Sequence, residues 1–428
     1  MMRSTDSSAH ATRPVLLLGA GSRPYREHLL QRISAVHPVV LVDSEPSTWA
    51  TPYLRREVTV DLADTEALAV AVKQLNEETA LAGICTYMEH YVEAAAQLAE
   101  RFSLPGTSPA SVAACRDKAR TRQVFAEHGV ASARSHLVAD EDAAVEAARS
   151  LGYPVVVKPR AMGGSAGVVR ADTDAEVREA FRRASWETVL GLDAFAMRGV
   201  LVEEYLAGAE ISAETVVLGP DDVRLAAITR KRLGAEPRFQ EVGHLVDAAD
   251  PLLGDAAVTR VVVDAVQALG IERGVLHIEL RLTARGPVLI EVNARPGGDL
   301  IPHLVRLATG IDLAQAAAAL ATGAVPDLTP THRRAAAVQF LYPPSTGVVT
   351  HLSTPAALRF ERWLNRMVWT RHPGDRVTAP PHASIDDRLA HWVVTGADHA
   401  ECDWRIAQVF LQVNAQVGTA AHTTACTR

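Results

Sequence analysis

The stretch VLHIELRLTARGPVLIEVNARPGGD contains two strand-like runs, HIELRLT and VLIEVNAR, around the turn-forming letters ARGP. A three-residue loop at 284–286 would place glycine at the position that requires a positive φ. In that register Glu279 faces Glu291, and His277 faces Asn293. Because strand side chains alternate between faces, all four point to one side of the hairpin. The sequence therefore predicts a β-hairpin that carries charge where apolar residues are expected.

This pair of glutamates needs a compensating charge. Carboxylates directly opposite each other on neighbouring strands have Cβ atoms about 5 Å apart, and like charges there destabilise the sheet. A hard divalent cation removes the repulsion, and two carboxylates with an amide oxygen suit Mg²⁺, with Mn²⁺ as a substitute. Either glutamate alone would be interpreted as solvated. The pair in register predicts a metal site formed by Glu279, Glu291 and Asn293.

Apolar runs and helical patterns alternate through the first hundred residues. PVLLLGAGS, PVVLVDSE and LAGICTYM read as strands, and helical patterns lie at 25–36, 64–77 and 89–102. This alternation is typical of an open parallel sheet. The GAGSRP turn with Asp43 matches part of a dinucleotide-binding fingerprint, but the third glycine is missing. We interpret it as a βα turn and not as an NAD site.

The turn-rich letters SLPGTSPAS end this region, and we place the first domain at 1–112. A second domain is predicted at 113–330, with helices at 111–128, 141–151, 174–184, 255–269 and 312–320. Near 335 the pattern changes to alternating apolar and small residues, which predicts a mostly β module at 331–428. Within it, 371–388 is predicted to be loop, and the tail from Val413 is predicted to be frayed.

Composition excludes several classes of protein. The net charge of −7 provides no basic field for nucleic acid or anionic lipid. The N-terminus is polar, and no run approaches the ~20 apolar residues of a membrane span, so we expect a cytoplasmic protein. The four cysteines lie far apart without a CxxC pair, which predicts free thiols at Cys85, Cys115, Cys402 and Cys426.

Lys158 lies at the end of the β-branched run VVVKP, where a buried lysine is expected to meet an anion. A glycine-rich loop follows, and its backbone N–H groups could close over phosphates. The loop contains Gly163, Gly164, Ser165 and Gly167, which also match the G-x-S-x-G nucleophile elbow. That motif requires a helix after the serine. The following letters VVRADT predict a strand, so a serine hydrolase is disfavoured.

These motifs, in this order, resemble the ATP-grasp superfamily. Lys118 in CRDKARTR and Lys158 in VVVKP resemble its two phosphate-binding lysines. VEEYLAGAE resembles its adenine- and ribose-binding strand. The resemblance implies that the backbone from Glu203 through Glu204 and Tyr205 to Leu206 meets adenine, and that the ribose hydroxyls are held by Glu210.

The hairpin residues complete this resemblance. Glu279, Glu291 and Asn293 resemble the magnesium ligands, and Arg295 resembles the arginine that stabilises the reacting carboxyl group. The implied fold is α/β (α+β): an ATP-grasp fold with an N-terminal open parallel sheet, a mobile lid at about 119–200 and a mostly β C-terminal module. The implied cofactors are ATP and Mg²⁺.

FQEVGHLVDA and EVNARPGGDLIPHL are most similar to the L-amino-acid ligase branch, to which carnosine synthase is related. This likeness implies an ADP-forming ligase that joins two amino acids through an acylphosphate, and a homodimer. It also implies an amino-acid site at Glu241 and His244, where His244 either binds a substrate carboxylate or transfers a proton. The activated carboxyl is either an α-carboxyl or a side-chain one, such as the γ-carboxyl of glutamate. Four basic residues come shortly before Glu241 in the sequence: Arg230, Lys231, Arg232 and Arg238. One or more of them either bind a second carboxylate on the substrate or are solvated, and we expect most to be solvated.

Two other functions compete with this interpretation. A carboxylase-type enzyme that uses bicarbonate would usually work with biotin or a purine intermediate, and no biotin-attachment motif of the M-K-M kind is present. A non-catalytic nucleotide-binding protein has no need of the complete set of charged residues. That set is retained: Lys118, Lys158, Glu279, Glu291, Asn293 and Arg295.

Overall fold

The computed structural model describes residues 13–186 and 199–418 of the chain. Its N-terminal sheet has the order β3-β2-β1-β4 with every pair parallel, as predicted. The strands are β1 (Val15–Leu18), β2 (Val39–Asp43), β3 (Arg56–Thr59) and β4 (Gly83–Cys85). The helices beside them are α1 (Arg23–Ser34), α2 (Thr65–Thr79) and α3 (Val92–Arg101). Strand order reverses direction at β1, which opens a crevice at the carboxyl ends of β1 and β4.

The glycine turn after β1 is a closed structural turn. Gly19 has a φ of +76°, and a Cβ there would lie 2.6 Å from the ring of Tyr91. Asp43 Oδ2 accepts a hydrogen bond from the Ala20 backbone N–H at 2.8 Å. Because Tyr91 covers the turn and Asp43 fastens it, this geometry favours the interpretation as a βα turn.

The predicted helix at 111–128 is wrong as a single element. Two helices occupy this region, α4 (Pro109–Arg116) and α5 (Lys118–His128). Asp117 between them has extended backbone angles, and its side chain accepts hydrogen bonds from the Ala119 and Arg120 N–H groups. This N-cap starts a new helix. As a result, Lys118 is the first residue of α5.

A second sheet, here called the lid sheet, has the order β5-β8-β6-β7 and is antiparallel. Two helices pack their apolar faces against the strands: α6 (Glu141–Leu151) and α7 (Asp174–Trp186). The strands are β5 (Ser135–Val138), β6 (Val155–Pro159), β7 (Val169–Ala171) and β8 (Val200–Glu204). The glycine-rich loop joins β6 to β7, as predicted. Part of the predicted lid, 187–198, lies outside the described residues.

The central sheet is antiparallel, with the order β13-β12-β9-β10-β11-β14-β18-β16. Helix α8 (Ala256–Ala268) packs on one face, and α9 (Ile301–Thr309) and α10 (Leu313–Ala321) pack on the other. The sequence did not predict α9. The strands are β9 (Ala209–Gly219), β10 (Asp222–Leu233), β11 (Glu241–Asp247), β12 (Gly274–Thr283), β13 (Gly286–Asn293), β14 (Ala335–Leu341), β16 (Leu364–Trp369) and β18 (Ala390–Gly396).

Strands of the predicted C-terminal module therefore continue the central sheet. The module also forms a small antiparallel sheet in the order β17-β15-β19, and α11 (His399–Phe410) lies between β18 and β19. Its strands are β15 (Gly347–Ser353), β17 (Arg376–Val377) and β19 (Asn414–Gly418). The prediction of a frayed tail from Val413 is wrong as far as Gly418, because β19 pairs with β15.

No single helix among residues 13–186 and 199–418 is long and apolar enough to cross a membrane. Helices α9 and α10 meet that test only together, as a pair bent by 107°.

Candidate active site

A cavity of about 540 Å³ lies where the N-terminal sheet, the lid sheet and the central sheet meet. Segments that follow β1 and β4 contribute Ser22, Arg26 and Glu89. All predicted site residues except Gly167 and His244 line this cavity: Lys118, Lys158, Gly163, Gly164, Ser165, Glu203, Glu204, Tyr205, Leu206, Glu210, Glu241, Glu279, Glu291, Asn293 and Arg295. Residues that are far apart in the sequence are thus brought together.

The hairpin of β12 and β13 forms one wall. Glu279 pairs with Glu291, and His277 pairs with Asn293, so this part of the predicted register is confirmed. The register shifts by one residue between these pairs and the turn.

The turn of the hairpin differs from the prediction. Thr283 pairs with Gly286, so two residues connect the strands and the predicted three-residue loop is wrong. Gly286 nevertheless has the expected positive φ, at +100°. An extra residue in β13 forms a bulge, which places Glu291 opposite Glu279 in spite of the shorter turn.

Each of the two opposed glutamates has a lysine partner. Glu279 Oε1 accepts from Lys231 Nζ at 2.6 Å, and Glu291 Oε1 accepts from Lys118 Nζ at 2.9 Å. Burial alone would raise the pKa of Glu279, but Lys231 and His277 hold it well below its usual range. The sequence predicted that a metal ion would offset the repulsion between Glu279 and Glu291. In the structure lysines offset it, which corrects that expectation.

Lys231 corrects a second expectation, because it is not solvated. Its side chain is 2% exposed and contacts three carboxylates: Glu241 at 2.6 Å, Glu279 at 2.6 Å and Glu210 at 3.4 Å. Burial opposes its charge, yet these carboxylates raise the pKa of Lys231 well above its ordinary value. The neighbouring Arg230 pairs with Asp250 at 2.6 Å. The other two, Arg232 and Arg238, are partly exposed, and Arg232 pairs with Asp403.

Lys158 is buried at the end of β6, as its place in VVVKP predicts. Its Nζ lies 2.6 Å from Glu203 Oε2, and Arg122 contacts the same carboxylate at 2.9 and 3.1 Å. Burial lowers the pKa of Lys158 to about 8, which the shared carboxylate only partly opposes. Two cations share one anion here, so this part of the cavity keeps a positive charge.

Apolar side chains line the cavity next to these charges: Ala133, Val156, Leu206 and Ile290. The backbone N–H groups of Glu204 and Tyr205 donate to carbonyl oxygens of Arg134 and Pro154. Glu210 contacts Arg281 at 2.9 Å and lies near Lys231. Apolar side chains beside a carboxylate can accept an aromatic base with a hydroxylated sugar.

The glycine-rich loop lies over the cavity. Gly163, Gly164 and Ser165 line it, whereas Gly167 does not. The loop is fastened at its start because Lys118 Nζ donates to the Met162 carbonyl at 2.6 Å. A Cβ on Gly164 would lie 3.7 Å from Ile385, so the loop lies close to the C-terminal segment.

A second charged group, around His244, contributes Glu241, Asp299 and Arg388 to the lining of the cavity. His244 is fully buried, and its Nε2 is 3.5 Å from Glu241 and 3.6 Å from Asp299. Burial works against protonation, but the two carboxylates raise the pKa of His244. Arg388 binds Asp299 through two contacts of 2.9 and 2.7 Å. His244 therefore lies behind Glu241 and is not among the residues that line the cavity.

Arg295 lies across the cavity beside the N-terminal sheet. Its Nε is 2.5 Å from Glu89 Oε2, and Glu89 also binds Arg116 at 3.1 Å. Burial would raise the pKa of Glu89, but Arg295 and Arg116 lower it to about 2. Sequence reasoning missed Glu89, Asp299, Arg388 and Arg26. The only available signal was the position of Arg26 and Glu89 just after the first and fourth strands.

Family models match two regions of the chain. A model of the ATP-grasp N-terminal domain matches residues 37–106, and a model of the ATP-grasp domain matches residues 151–303. An uncharacterized protein of Sinorhizobium fredii, y4rH, is 30% identical over 360 residues, which cover 82% of this chain and 72% of that one. The chain belongs to the ATP-grasp family. The predicted family and fold are confirmed.

Relatives within the ATP-grasp family include ligases. Chicken carnosine synthase 1 is 28% identical over 352 residues, which cover 73% of this chain but only 36% of that protein. The crystal structure of an L-amino acid ligase from Bacillus licheniformis covers 95% of this chain and 99% of its own, with a TM-score of 0.80 and 22% identity. The second likeness establishes the fold.

Proposed function

We propose that this ATP-grasp protein is an ADP-forming ligase that joins the carboxyl group of one amino acid to the amine of another amino acid or a related amine. One observation carries the proposal: a single cavity holds two kinds of charged site. The lysines Lys118 and Lys158 form the first, the carboxylates of Glu241 and Asp299 form the second, and all four residues line the cavity. The first suits phosphates, and the second suits an ammonium group.

The hairpin oxygens are chemically suited to Mg²⁺. Glu279 and Glu291 face each other in register beside Asn293, and hard cations prefer carboxylate and amide oxygens. We therefore propose Glu279, Glu291 and Asn293 as its ligands, with Lys118 and Lys231 turning to other partners. When bound, Mg²⁺ neutralises charge on the phosphate oxygens during phosphoryl transfer.

The nucleotide would lie between the lid sheet and the central sheet. Val156, Leu206 and Ile290 would contact the base, and Glu210 would accept hydrogen bonds from the ribose. Lys118 and Lys158 would hold the phosphates, with the loop residues Gly163, Gly164 and Ser165 above them. Closure of this loop would exclude water, which otherwise hydrolyses a reactive acyl intermediate.

The reaction proceeds in two steps. A carboxylate oxygen of the first substrate attacks the γ-phosphorus of ATP, and the bond to the ADP oxygen breaks. The amine of the second substrate then attacks the acyl carbon, phosphate leaves, and the amine loses a proton. We assign to Arg295 the neutralisation of the acylphosphate and of the oxyanion, because a guanidinium is charged at every working pH.

Glu241 is proposed to hold the substrate ammonium group. Its carboxylate stays ionised, because Lys231 and His244 lower its pKa against the effect of burial. His244 acts as a positioning residue, since it touches Glu241 and Asp299 from behind. The proposed assembly is a homodimer, which light scattering of the purified protein would check.

Phosphate release with pairs of amino acids tests this function. Wild type should release phosphate only when ATP, a carboxylate and an amine are all present. E291Q and R295A should each lower this rate at least about 100-fold, the range that loss of one stabilising group produces. E272Q, at an exposed glutamate, is the matched control and should match wild type. Biotin- or bicarbonate-dependent turnover would favour a carboxylase, and ATP binding without turnover would favour a regulatory protein.

A further inference from the structure

The strongest unassigned feature is the arginine cluster between the N-terminal sheet and the cavity. Arg26 lies in the first turn of α1, and its stem packs near Gly21 in the preceding turn. The guanidinium carbon is 5.8 Å from the ring centre of Tyr87, so it lies over an aromatic face. Arg26 also lines the cavity.

Arg26 differs from the other cavity arginines and lysines in its partners. Within the described part of the chain, each of the others has a carboxylate within ion-pair distance: Lys118, Arg122, Lys158, Arg281, Arg295 and Arg388. Arg26 has no carboxylate within 4.0 Å and no side-chain hydrogen bond to a described residue. A partly buried guanidinium without an anion is costly, and an anionic ligand would remove that cost.

The charges nearby leave this end of the cavity positive. Glu89 contacts both Arg116 and Arg295, and Glu93 lies 3.7 Å from Arg116. The charge of Asp299 also acts on Arg26, and Asp299 is itself bound by Arg388, so three carboxylates serve four guanidinium groups once Arg26 is included. Burial and the charge of Arg295 lower the pKa of Arg26 to about 10, which is unusual for an arginine.

We infer that Arg26 is a specificity-determining residue that binds a substrate carboxylate other than the one that is phosphorylated. The inference rests on the proposed ligase function. The activated carboxylate is assigned to Arg295 and the phosphates to Lys118 and Lys158, so the charge of Arg26 is left for a further anion. A planar guanidinium binds a carboxylate with two parallel hydrogen bonds.

Two substrates could supply this carboxylate. One is the α-carboxylate of an amino acid that acts as the amine, which stays free in a dipeptide. The other is the second carboxylate of a dicarboxylic amino acid that acts as the acyl donor. Either source means that the product keeps a free acid next to Arg26, and that simple amines with neutral donors are poor substrates.

The test begins with the substrate pair that wild type joins, found by mass spectrometry of pooled amino acids. KM is then measured for the acceptor against its primary amide, and for the donor against its neutral isostere, such as glutamate against glutamine. Wild type, R26Q and R26K are compared. R23Q is the matched control, because Arg23 lies in the same helical turn but is exposed and paired with Glu27.

For one of the two substrates, R26Q should raise KM about 10- to 100-fold, the loss expected for a hydrogen bond to a charged group. Removal of the carboxylate from that substrate should cost wild type a similar factor and R26Q almost nothing more, because both changes remove one contact. R26K should lose less than R26Q, and R23Q should match wild type. The affected substrate identifies the source of the carboxylate.

Other outcomes overturn the inference. A rise in KM for ATP, with unchanged KM for both amino acids, would assign Arg26 to phosphate. Equal KM values in wild type and R26Q would show that no such contact exists. The same conclusion would follow if the effects of R26Q and of removing the substrate carboxylate were fully additive. If wild type forms amides and R26Q has unchanged KM values, this inference alone is contradicted. Wild type that forms no amide contradicts the proposed function, and this inference with it.

Discussion

Replacement of Lys231 by methionine should destabilise the protein strongly. The lysine side chain is 2% exposed, and it neutralises Glu210, Glu241 and Glu279 at 3.4, 2.6 and 2.6 Å. Methionine keeps most of the apolar stem but leaves these carboxylates buried without that cation. Removal of one partner from a buried ion pair costs about 3–5 kcal/mol. For a cooperative unit of about 150–250 residues, that cost corresponds to a fall in Tm of roughly 6–20 °C.

Calorimetry of wild type and K231M at pH 7 provides the measurement. K73M is the matched control, because Lys73 and Glu77 are both about two-thirds exposed and 3.8 Å apart. An exposed pair of this kind contributes about 0.3–0.5 kcal/mol. The K231M deficit should shrink as the pH falls towards 5, because the carboxylates then take up protons that replace the lost charge. A Tm within 2 °C of the K73M value would refute the interpretation of Lys231 as the neutralising group.

Three further predictions follow from burial and backbone geometry. Burial lowers the pKa of Lys158 to about 8, so kcat/KM for ATP should fall above that pH, whereas K158R should keep a flat profile to higher pH; identical profiles would contradict this. A Cβ on Gly208 would lie 2.0 Å from the Leu282 carbonyl oxygen, so G208A should lower the free energy of unfolding in urea by at least about 2 kcal/mol. Gly219 has open space around it, so the control G219A should lower it only slightly. Equal losses in the two variants would contradict this prediction. Burial lowers the pKa of His28, His303 and His391, so these side chains stay neutral in the folded protein but gain protons on unfolding. Below their ordinary pKa, each should therefore reduce the free energy of unfolding by up to about 1.4 kcal/mol per pH unit. This dependence on pH should be weaker in glutamine variants, and an unchanged dependence would contradict the prediction.

Much of the fold could be predicted because local signals agree with it. The N-terminal strands are short apolar runs, and helices begin after aspartates that cap them, such as Asp64, Asp140 and Asp255. Alternation within the hairpin was enough to place Glu279 opposite Glu291. These features depend on a few neighbouring residues, so a sequence carries them directly.

The remaining features depend on contacts between distant segments. Lys231 lies in an Arg- and Lys-rich strand that reads as exposed, and only the neighbouring strands reveal that it is buried among glutamates. Asp117 divides a helical pattern by capping a second helix, and its side chain also binds Arg160. Arg26 lies two residues after the GAGSRP turn, which matches a dinucleotide fingerprint only in part. Its relation to the cavity follows from strand order, which the local pattern does not determine.

The central claim is that this protein activates a carboxylate by phosphoryl transfer and passes the acyl group to an amine. The most direct test is one incubation of wild type with ATP, Mg²⁺ and amino acids labelled with ¹⁸O in their carboxyl groups, followed by mass spectrometry. The account predicts a new amide whose carbonyl keeps one of the two labels of the activated carboxyl group, ADP as the nucleotide product, and inorganic phosphate that carries the other label of that carboxyl group. Unlabelled phosphate, labelled AMP or the absence of any amide would contradict it.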